Sequence, residues 1–307
     1  MKDFISLSDL TPESIIELLD LALQLKQDLA SGAARPLLKG QTLGMVFQKP
    51  SLRTRVSFDV AMLQLGGHAL YLSPNEIQLG QRESTGDVAR VLSRYVNGIM
   101  ARVFAHADVV ELARAATVPV INGLSDYSHP CQGLADLLTI YEKHGSLKGL
   151  KLAYLGDGNN VANSLMFGGA LTGMRVVIAT PPGYEPSADA VDCARSLGRL
   201  GGGSVEVTND AAAAARGADA LYTDVWASMG QEAEQAERKG VFPPYQLNAA
   251  RLAEANPDVL ALHCLPAHRG DEITDDVMDG PNSAVFDQAE NRLHAQKAVL
   301  VKLMAPH

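Results

Sequence analysis

Cysteine is scarce in this 307-residue chain, with Cys131, Cys193 and Cys264 the only three. They are odd in number and far apart, which does not suit a disulfide framework. Basic charge is also in deficit. A formal net charge of −9 argues against a nucleic-acid surface and would on average repel an anionic ligand. Any phosphate must therefore be held by a local basic cluster. Long apolar runs are missing as well. The richest stretch, residues 15–25, is interrupted by Glu17, Asp20 and Gln24, and the N-terminus has no basic-then-apolar signal. Repeats and low-complexity tracts are absent; the run Ala211–Ala215 is simply good helix former. What remains, 47% hydrophobic and 20% charged residues, is the composition of a soluble globular protein. A cytoplasmic enzyme without membrane or nucleic-acid partners is the expectation.

The length exceeds what one compact core usually covers, so two domains are expected. Short apolar runs predict strands at 44–47, 68–72, 98–103 and 119–121, with helical patterns such as 87–94 and 109–116 between them. Thr11-Pro12-Glu13 opens an amphipathic helix with Thr at the cap and Pro at its first position. After the polar turn His144-Gly145-Ser146, further strands are predicted at 151–155, 174–179, 204–207, 220–223, 259–262 and 284–286. Strand–helix alternation of this kind predicts α/β architecture: two doubly wound parallel-sheet domains, 1–145 and 146–290, joined near 132–149. A helix at 291–304 opens the last segment, 291–307, and is expected to dock back on the first domain.

The segment Pro50-Ser51-Leu52-Arg53-Thr54-Arg55 follows the first predicted strand and places hydroxyls and two guanidinium groups in the first turn of a helix. Ser51 stands where the N-cap belongs. A helix N-terminus offers unpaired N–H groups and partial positive charge, which makes this an anion cradle. Taken alone, the segment reads equally well as a capped helix whose arginines meet nearby carboxylates. Gly156-Asp157-Gly158 follows a strand and invites a dinucleotide reading, yet Val161 holds the third glycine position and the next strand ends in Thr180 rather than an acid. Asn159 and Asn160 lie at the same strand end, suited either to a small polar substrate or to capping the next helix. Three more blocks fall at predicted strand ends: His129-Pro130-Cys131-Gln132, Asp224-Val225-Trp226-Ala227-Ser228-Met229-Gly230, and His263-Cys264-Leu265-Pro266. A neutral imidazole and an amide can polarise a carbonyl, and a carboxylate suits an ammonium group. The His–Cys pair lacks the spacing of a zinc site, and neighbours on a strand point opposite ways.

In this order, Ser51-x-Arg53-Thr54-Arg55, His129-Pro130-x-Gln132, Asp224-x-Trp226-x-Ser228-Met229-Gly230 and His263-Cys264-Leu265-Pro266 resemble the ornithine carbamoyltransferases over essentially the whole chain. The Ser-Met-Gly and His-Cys-Leu-Pro elements separate the chain from aspartate carbamoyltransferases; Leu52 departs from the Thr of many members. The resemblance implies transfer of the carbamoyl group of carbamoyl phosphate to the δ-amine of L-ornithine, giving citrulline and phosphate, with no cofactor and no metal. It assigns Arg102, His129, Cys264 and Arg292 to catalysis. Ser51, Leu52, Arg53, Thr54, Gln78, Arg102, His129, Gln132, Cys264, Leu265 and Arg292 would bind carbamoyl phosphate, Leu52 through its backbone N–H. Asn160, Asp224, Ser228 and Met229 would bind ornithine. It further implies a cis Leu265–Pro266 bond, and a homotrimer whose sites are shared through Gln78. Two readings from other classes stay open: a nicotinamide-dependent dehydrogenase and a catalytically silent binding paralogue. Within the enzyme class, putrescine or an acylated ornithine could replace ornithine.

Overall fold

The structure, a computed structural model, describes residues 1–227 and 234–306. The chain divides into two compact units, Met1–Ala135 with Arg292–His307, and Asp136–Asn291. The first unit holds strands β1 (Thr42–Phe47), β2 (His68–Leu72), β3 (Gly98–Arg102) and β4 (Val120–Leu124), paired in parallel in the order β2-β1-β3-β4. The second holds β5 (Lys151–Leu155), β6 (Arg175–Ala179), β7 (Ser204–Thr208), β8 (Ala220–Thr223) and β9 (Leu260–His263), parallel in the order β7-β6-β5-β8-β9.

Burial explains why these residues form these strands. Central β3 and β5 are buried at every position, as helix-covered parallel strands must be, whereas edge strands β2 and β7 contain no fully buried residue and expose their first and third positions most. Val46, Ile99 and Ala101 from one sheet pack with Val88, Val109 and Leu112 from its helices. In the other unit Ala153, Val177, Leu221 and Ala261 pack with Ala214, Val277 and Val285. The helix Pro12–Ala30 opens as expected, with Thr11 capping and Pro12 at the first position.

The final turns of the last helix belong to the first unit. Lys297 Nζ donates to Gln64 Oε1 at 3.2 Å, Lys302 pairs with Glu17 at 2.9 Å, and Met304 lies against Gly98 so closely that a Cβ there would sit 2.8 Å from its sulfur. That helix spans Val285–Met304 and starts earlier than the sequence pattern indicates. The strand expected at 284–286 does not form: Ser283 makes only an isolated bridge to Ala261, and Val285 already begins the helix. A three-residue apolar run carries no periodicity to tell strand from helix, and Phe286 is exposed. The expected joining segment 132–149 is largely the helix Pro130–His144, and the division between units falls within it.

Each sheet has one place where strand order reverses: between β1 and β3, and between β5 and β8. There the crossovers leave to opposite faces and open a crevice beyond the strands' carboxyl ends. The glycines after β5 illustrate what such a crevice can be used for. A Cβ on Gly158 would lie 2.2 Å from Pro186 N and 2.5 Å from Glu185 C, and Gly158 N–H donates to Tyr184 O at 2.8 Å. The close approach that a dinucleotide would exploit is taken by the protein's own backbone. Gly158→Ala should therefore lower stability by about 1–3 kcal/mol, whereas Gly240→Ala, in a helix with open space at the Cβ, should leave stability unchanged or raise it by up to about 1 kcal/mol. Thermal and urea unfolding of both variants check this pair.

Candidate functional site

In the first unit, β1 runs out at Phe47 and the chain turns through Gln48-Lys49-Pro50 into the helix Leu52–Gln64. Ser51 caps that helix, its Oγ accepting from Thr54 N–H at 3.4 Å. Thr54 is buried, and its Oγ1 is a point of convergence: Ser51 Oγ lies at 3.1 Å, Arg102 Nη1 at 3.4 Å and Arg292 Nη2 at 3.3 Å. Arg292 Nη1 also donates to Gln132 Oε1 at 2.6 Å. Arg102 ends β3, the neighbour of β1 across the strand-order reversal, and His129 stands just before the helix Pro130–His144. The loop after β4 is fixed by its own polar groups: Ser125 N–H donates to Ser128 O at 2.9 Å, and Asn122 Nδ2 donates to the same carbonyl at 3.3 Å.

Arg102, His129, Gln132 and Arg292 are each at least 94% buried. Burial first, and then the charges of Arg292, Arg102, Lys49 and Arg53, push the His129 pKa well below its usual value. The imidazole is therefore neutral, able to donate one hydrogen bond without adding to the local charge. Two buried guanidinium groups beside a capped helix N-terminus give these surroundings a charge that suits an anion.

Lys49 escaped the sequence reading because it precedes the motif and nothing in its neighbours marks it as buried. Its Nζ lies 4.8 Å from the centre of the Phe104 ring. Burial, and next the charge of Arg102, lower its pKa to about 8 against the opposing pull of Asp126. Arg55, the second arginine of the motif, stacks on Tyr71 at 4.0 Å. Leu52 and Gln78 do not join the cluster through their side chains. Leu52 is exposed at the first helical position, and Gln78 is an exposed left-handed residue (φ 42°) after the short helix Pro74–Ile77. Among the described residues, the Gln78 side chain makes no hydrogen bond to the cradle.

The second unit uses its own crevice differently. Asn159 caps the helix Asn160–Leu171, its Oδ1 accepting from Val161 and Ala162 N–H at 2.9 and 3.1 Å. Its Nδ2 meanwhile donates to Asp224 Oδ2 at 2.9 Å. Of the two roles the sequence left open for Asn159, the structure shows the cap, and the amide's other end is taken by Asp224. Asp224 follows β8, across the reversal from β5; its Oδ1 accepts from the Cys264 thiol at 2.9 Å and from Val225 N–H at 2.8 Å. Burial, followed by the carboxylate of Asp224, raises the Cys264 pKa well above the thiol norm, so the sulfur is a thiol donor rather than a thiolate. Asn160 sits at the first turn of the helix beside this centre. Asp157 lies 3.1 Å from the buried Arg238; burial outweighs that partner and lifts the Asp157 pKa to about 6. The Leu265–Pro266 bond is cis. Ser228 and Met229 lie outside the described residues.

Asp224, His263 and Cys264 bring one potential metal-ligand atom each within 4.8 Å of one another. His263 has both ring nitrogens engaged, however. Nδ1 accepts from Leu265 N–H at 2.8 Å and Nε2 faces Glu272 Oε1 at 3.1 Å. A metal could be held only if the ring gave up one of these bonds.

Two parallel α/β units thus carry a cationic cradle and a carboxylate centre at equivalent crevices. Comparison with known proteins shows which family combines them. Residues 2–142 match the carbamoyl-P binding domain, and residues 148–303 the Asp/Orn binding domain, of aspartate/ornithine carbamoyltransferases. The ornithine carbamoyltransferase of Pyrococcus abyssi is 57% identical over 303 residues, 99% of this chain and 96% of that protein. The anabolic ornithine carbamoyltransferase of Pyrococcus furiosus is 57% identical over the same length, with the same shares of the two chains. A solved structure of ornithine carbamoyltransferase from Pyrococcus furiosus superposes with a TM-score of 0.97 at 56% identity, covering 100% of this chain and 98% of that one. The chain belongs to the aspartate/ornithine carbamoyltransferase family.

The lowered Lys49 pKa has a measurable sign. Between about 8 and the ordinary 10.5, the unfolded chain carries the Lys49 proton and the folded one does not. Stability due to Lys49 therefore rises with pH across that window. The unfolding free energy of the wild type, relative to Lys49→Met, should increase from pH 8 to pH 10 in urea titrations. A flat difference would mean that the amine is not desolvated in the folded state.

Proposed function

We propose that the protein transfers the carbamoyl group of carbamoyl phosphate to the δ-amine of L-ornithine, releasing L-citrulline and phosphate. In this reading Ser51, Arg53, Thr54, Arg102 and the backbone N–H of Leu52 hold the phosphate. His129, Arg102, Thr54 and Arg292 receive the carbonyl oxygen, and Gln132 with the carbonyls of Cys264 and Leu265 holds the carbamoyl nitrogen. The δ-amine, having lost its extra proton, attacks the carbonyl carbon; negative charge builds on the carbonyl oxygen in the tetrahedral transition state. The carbon–oxygen bond to phosphate then breaks, phosphate leaves with its electron pair, and the new nitrogen loses a proton. A neutral His129 suits this role, because it donates to the developing oxyanion without further charging the cradle.

The observation that carries the choice of acceptor is Asp224, a buried carboxylate with both oxygens held by donors. It suits the α-ammonium of an amino acid, with Asn160, Ser228 and Met229 assigned to its carboxylate. A dicarboxylic acceptor such as aspartate would call for cations there instead. Cys264 as a thiol donor to Asp224 suits positioning rather than covalent catalysis. The anabolic name of the Pyrococcus furiosus relative favours the citrulline-forming direction. Free cysteines fit a cytoplasmic setting, and no helix among the described residues is long and apolar enough to cross a membrane.

The same proposal includes a homotrimer with shared sites. The helix Leu52–Gln64 leaves Leu52 and Leu63 about three-quarters exposed and Val56 about half, and edge strand β2 exposes Leu70; these apolar side chains suit a second copy of the chain. Gln78 would then complete a neighbour's cradle.

Citrulline formation from carbamoyl phosphate should be rapid with ornithine and slow with putrescine or aspartate. Asp224→Ala should raise the ornithine KM by about tenfold or more while phosphate binding by calorimetry stays near normal. Equal use of putrescine would shift the reading to a diamine acceptor. Arg53→Ala and Gln78→Ala should each be nearly inactive alone and regain activity when refolded together, because mixed trimers contain some sites with both native residues. Activity no greater than the sum of the two parents, in trimers whose mixed composition is verified by mass, would remove the shared-site element.

A further inference from the structure

Glu272 is among the buried carboxylates that the reaction proposed above leaves unused. Glu272 has no exposed surface, yet it lies outside every sequence motif and ten or fewer residues from the Cys264–Leu265 segment. Its Oε1 accepts from His268 N–H at 2.5 Å and faces His263 Nε2 at 3.1 Å. The other nitrogen of that ring, Nδ1, accepts from Leu265 N–H at 2.8 Å. Since Nδ1 is an acceptor, the ring proton sits on Nε2 and is donated to Glu272. The result is a fixed relay from a buried carboxylate through an imidazole to one particular backbone N–H. It constrains the segment at both ends, with Leu265 on one side and His268 on the other.

What is being constrained is an unusual piece of chain. Leu265 has φ of 59°, a left-handed conformation that a branched side chain disfavours. A backbone in that state persists only where its surroundings impose it. The residue before it carries the thiol that donates to Asp224. Displacement of Leu265 would therefore move the Cys264 thiol and remove one of the two hydrogen bonds that Asp224 Oδ1 accepts, leaving only that from Val225 N–H on this oxygen of the carboxylate assigned to the substrate ammonium.

We propose that Glu272, acting through His263, is a positioning residue for the amino-acid half of the site. It holds Leu265 in its left-handed state so that Cys264 orients Asp224. The inference rests on ornithine being the ligand of Asp224. Charge is not what the relay requires of Glu272. It requires one acceptor oxygen, which a glutamine also supplies, and the amide nitrogen would then replace Oε2, whose neighbour at 3.7 Å is His268 Nδ1.

Glu272→Ala and Glu272→Gln, in the full chain, separate positioning from bulk structure. The alanine variant should raise the ornithine KM by about tenfold, as expected when a buried donor loses its acceptor. Its affinity for inorganic phosphate, a probe of the cradle in the other unit, should stay within about twofold of wild type. The glutamine variant should recover ornithine KM to within about threefold. An unchanged KM in the alanine variant, an equal loss in both variants, or a parallel loss of phosphate affinity would each overturn the proposal. Nitrogen-15 spectra of histidine-labelled protein, with the His263 signal assigned by His263→Gln, supply a readout that needs neither activity nor a folded alanine variant. Wild type and Glu272→Gln should both show His263 protonated on Nε2 alone. A proton on Nδ1 in either protein would refute the relay. If the wild type makes no citrulline, the functional reading fails, and the spectra still decide the relay.

Discussion

Three side chains meeting at the hydroxyl of Thr54 set the terms for the first unit. Two of them are guanidinium groups removed almost entirely from water, and their mutual repulsion is a cost that hydration would otherwise screen. Fixed acceptors and a neutral neighbour help to make the arrangement tolerable. Thr54 is anchored by the cap at Ser51, Gln132 turns its carbonyl oxygen to Arg292, and His129 stays uncharged. A bound dianion would relieve the repulsion. The cradle is in this sense preorganised for its proposed ligand.

The second unit answers the same topology with the opposite sign. Where the first crevice gathers cations around a hydroxyl, the second gathers donors around a carboxylate, with Asn159, Cys264 and Val225 all pointing at Asp224. Both solutions depend on parallel strands ending side by side where their crossovers diverge. One architecture thus supports a cationic crevice and a carboxylate-centred one by exchanging a few loop residues, and the chemistry lies in those residues rather than in the fold.

Much of this was legible in the sequence because short, buried parallel strands read as apolar runs and because caps and strand-end polar residues are local signals. β2, β5 and β8 fall at the residues their hydrophobic runs predict. Other features depended on contacts between distant parts of the chain. Gly158 resembles a nucleotide-binding glycine until the 185–186 backbone is seen against it. Lys49 has nothing in its immediate neighbours to reveal Arg102 or Phe104, which arrive from β3 and the turn after it. Glu272 lies within a polar stretch where acidic residues normally face water, and only the closure of the segment onto His263 buries it. The helix at Val285 was hidden because the apolar run at its start, Ala284-Val285-Phe286, is too short to display a period.

Arg292 follows the entire second unit in chain order and yet completes a cluster in the first. During synthesis, a ribosome that has delivered Ser51, Arg102 and His129 has not yet delivered this guanidinium, and must first produce everything from Asp136 to Asn291. Partly made chains therefore lack a finished cradle, and so would any fragment that ends at Ala135. The two units can be distinguished by their packing, but they cannot be separated by cutting the gene between them. Rejoining the chain at other points, as in a circular permutant that begins near Asn291, would place Arg292 early in synthesis and let the cradle mature before the second unit exists.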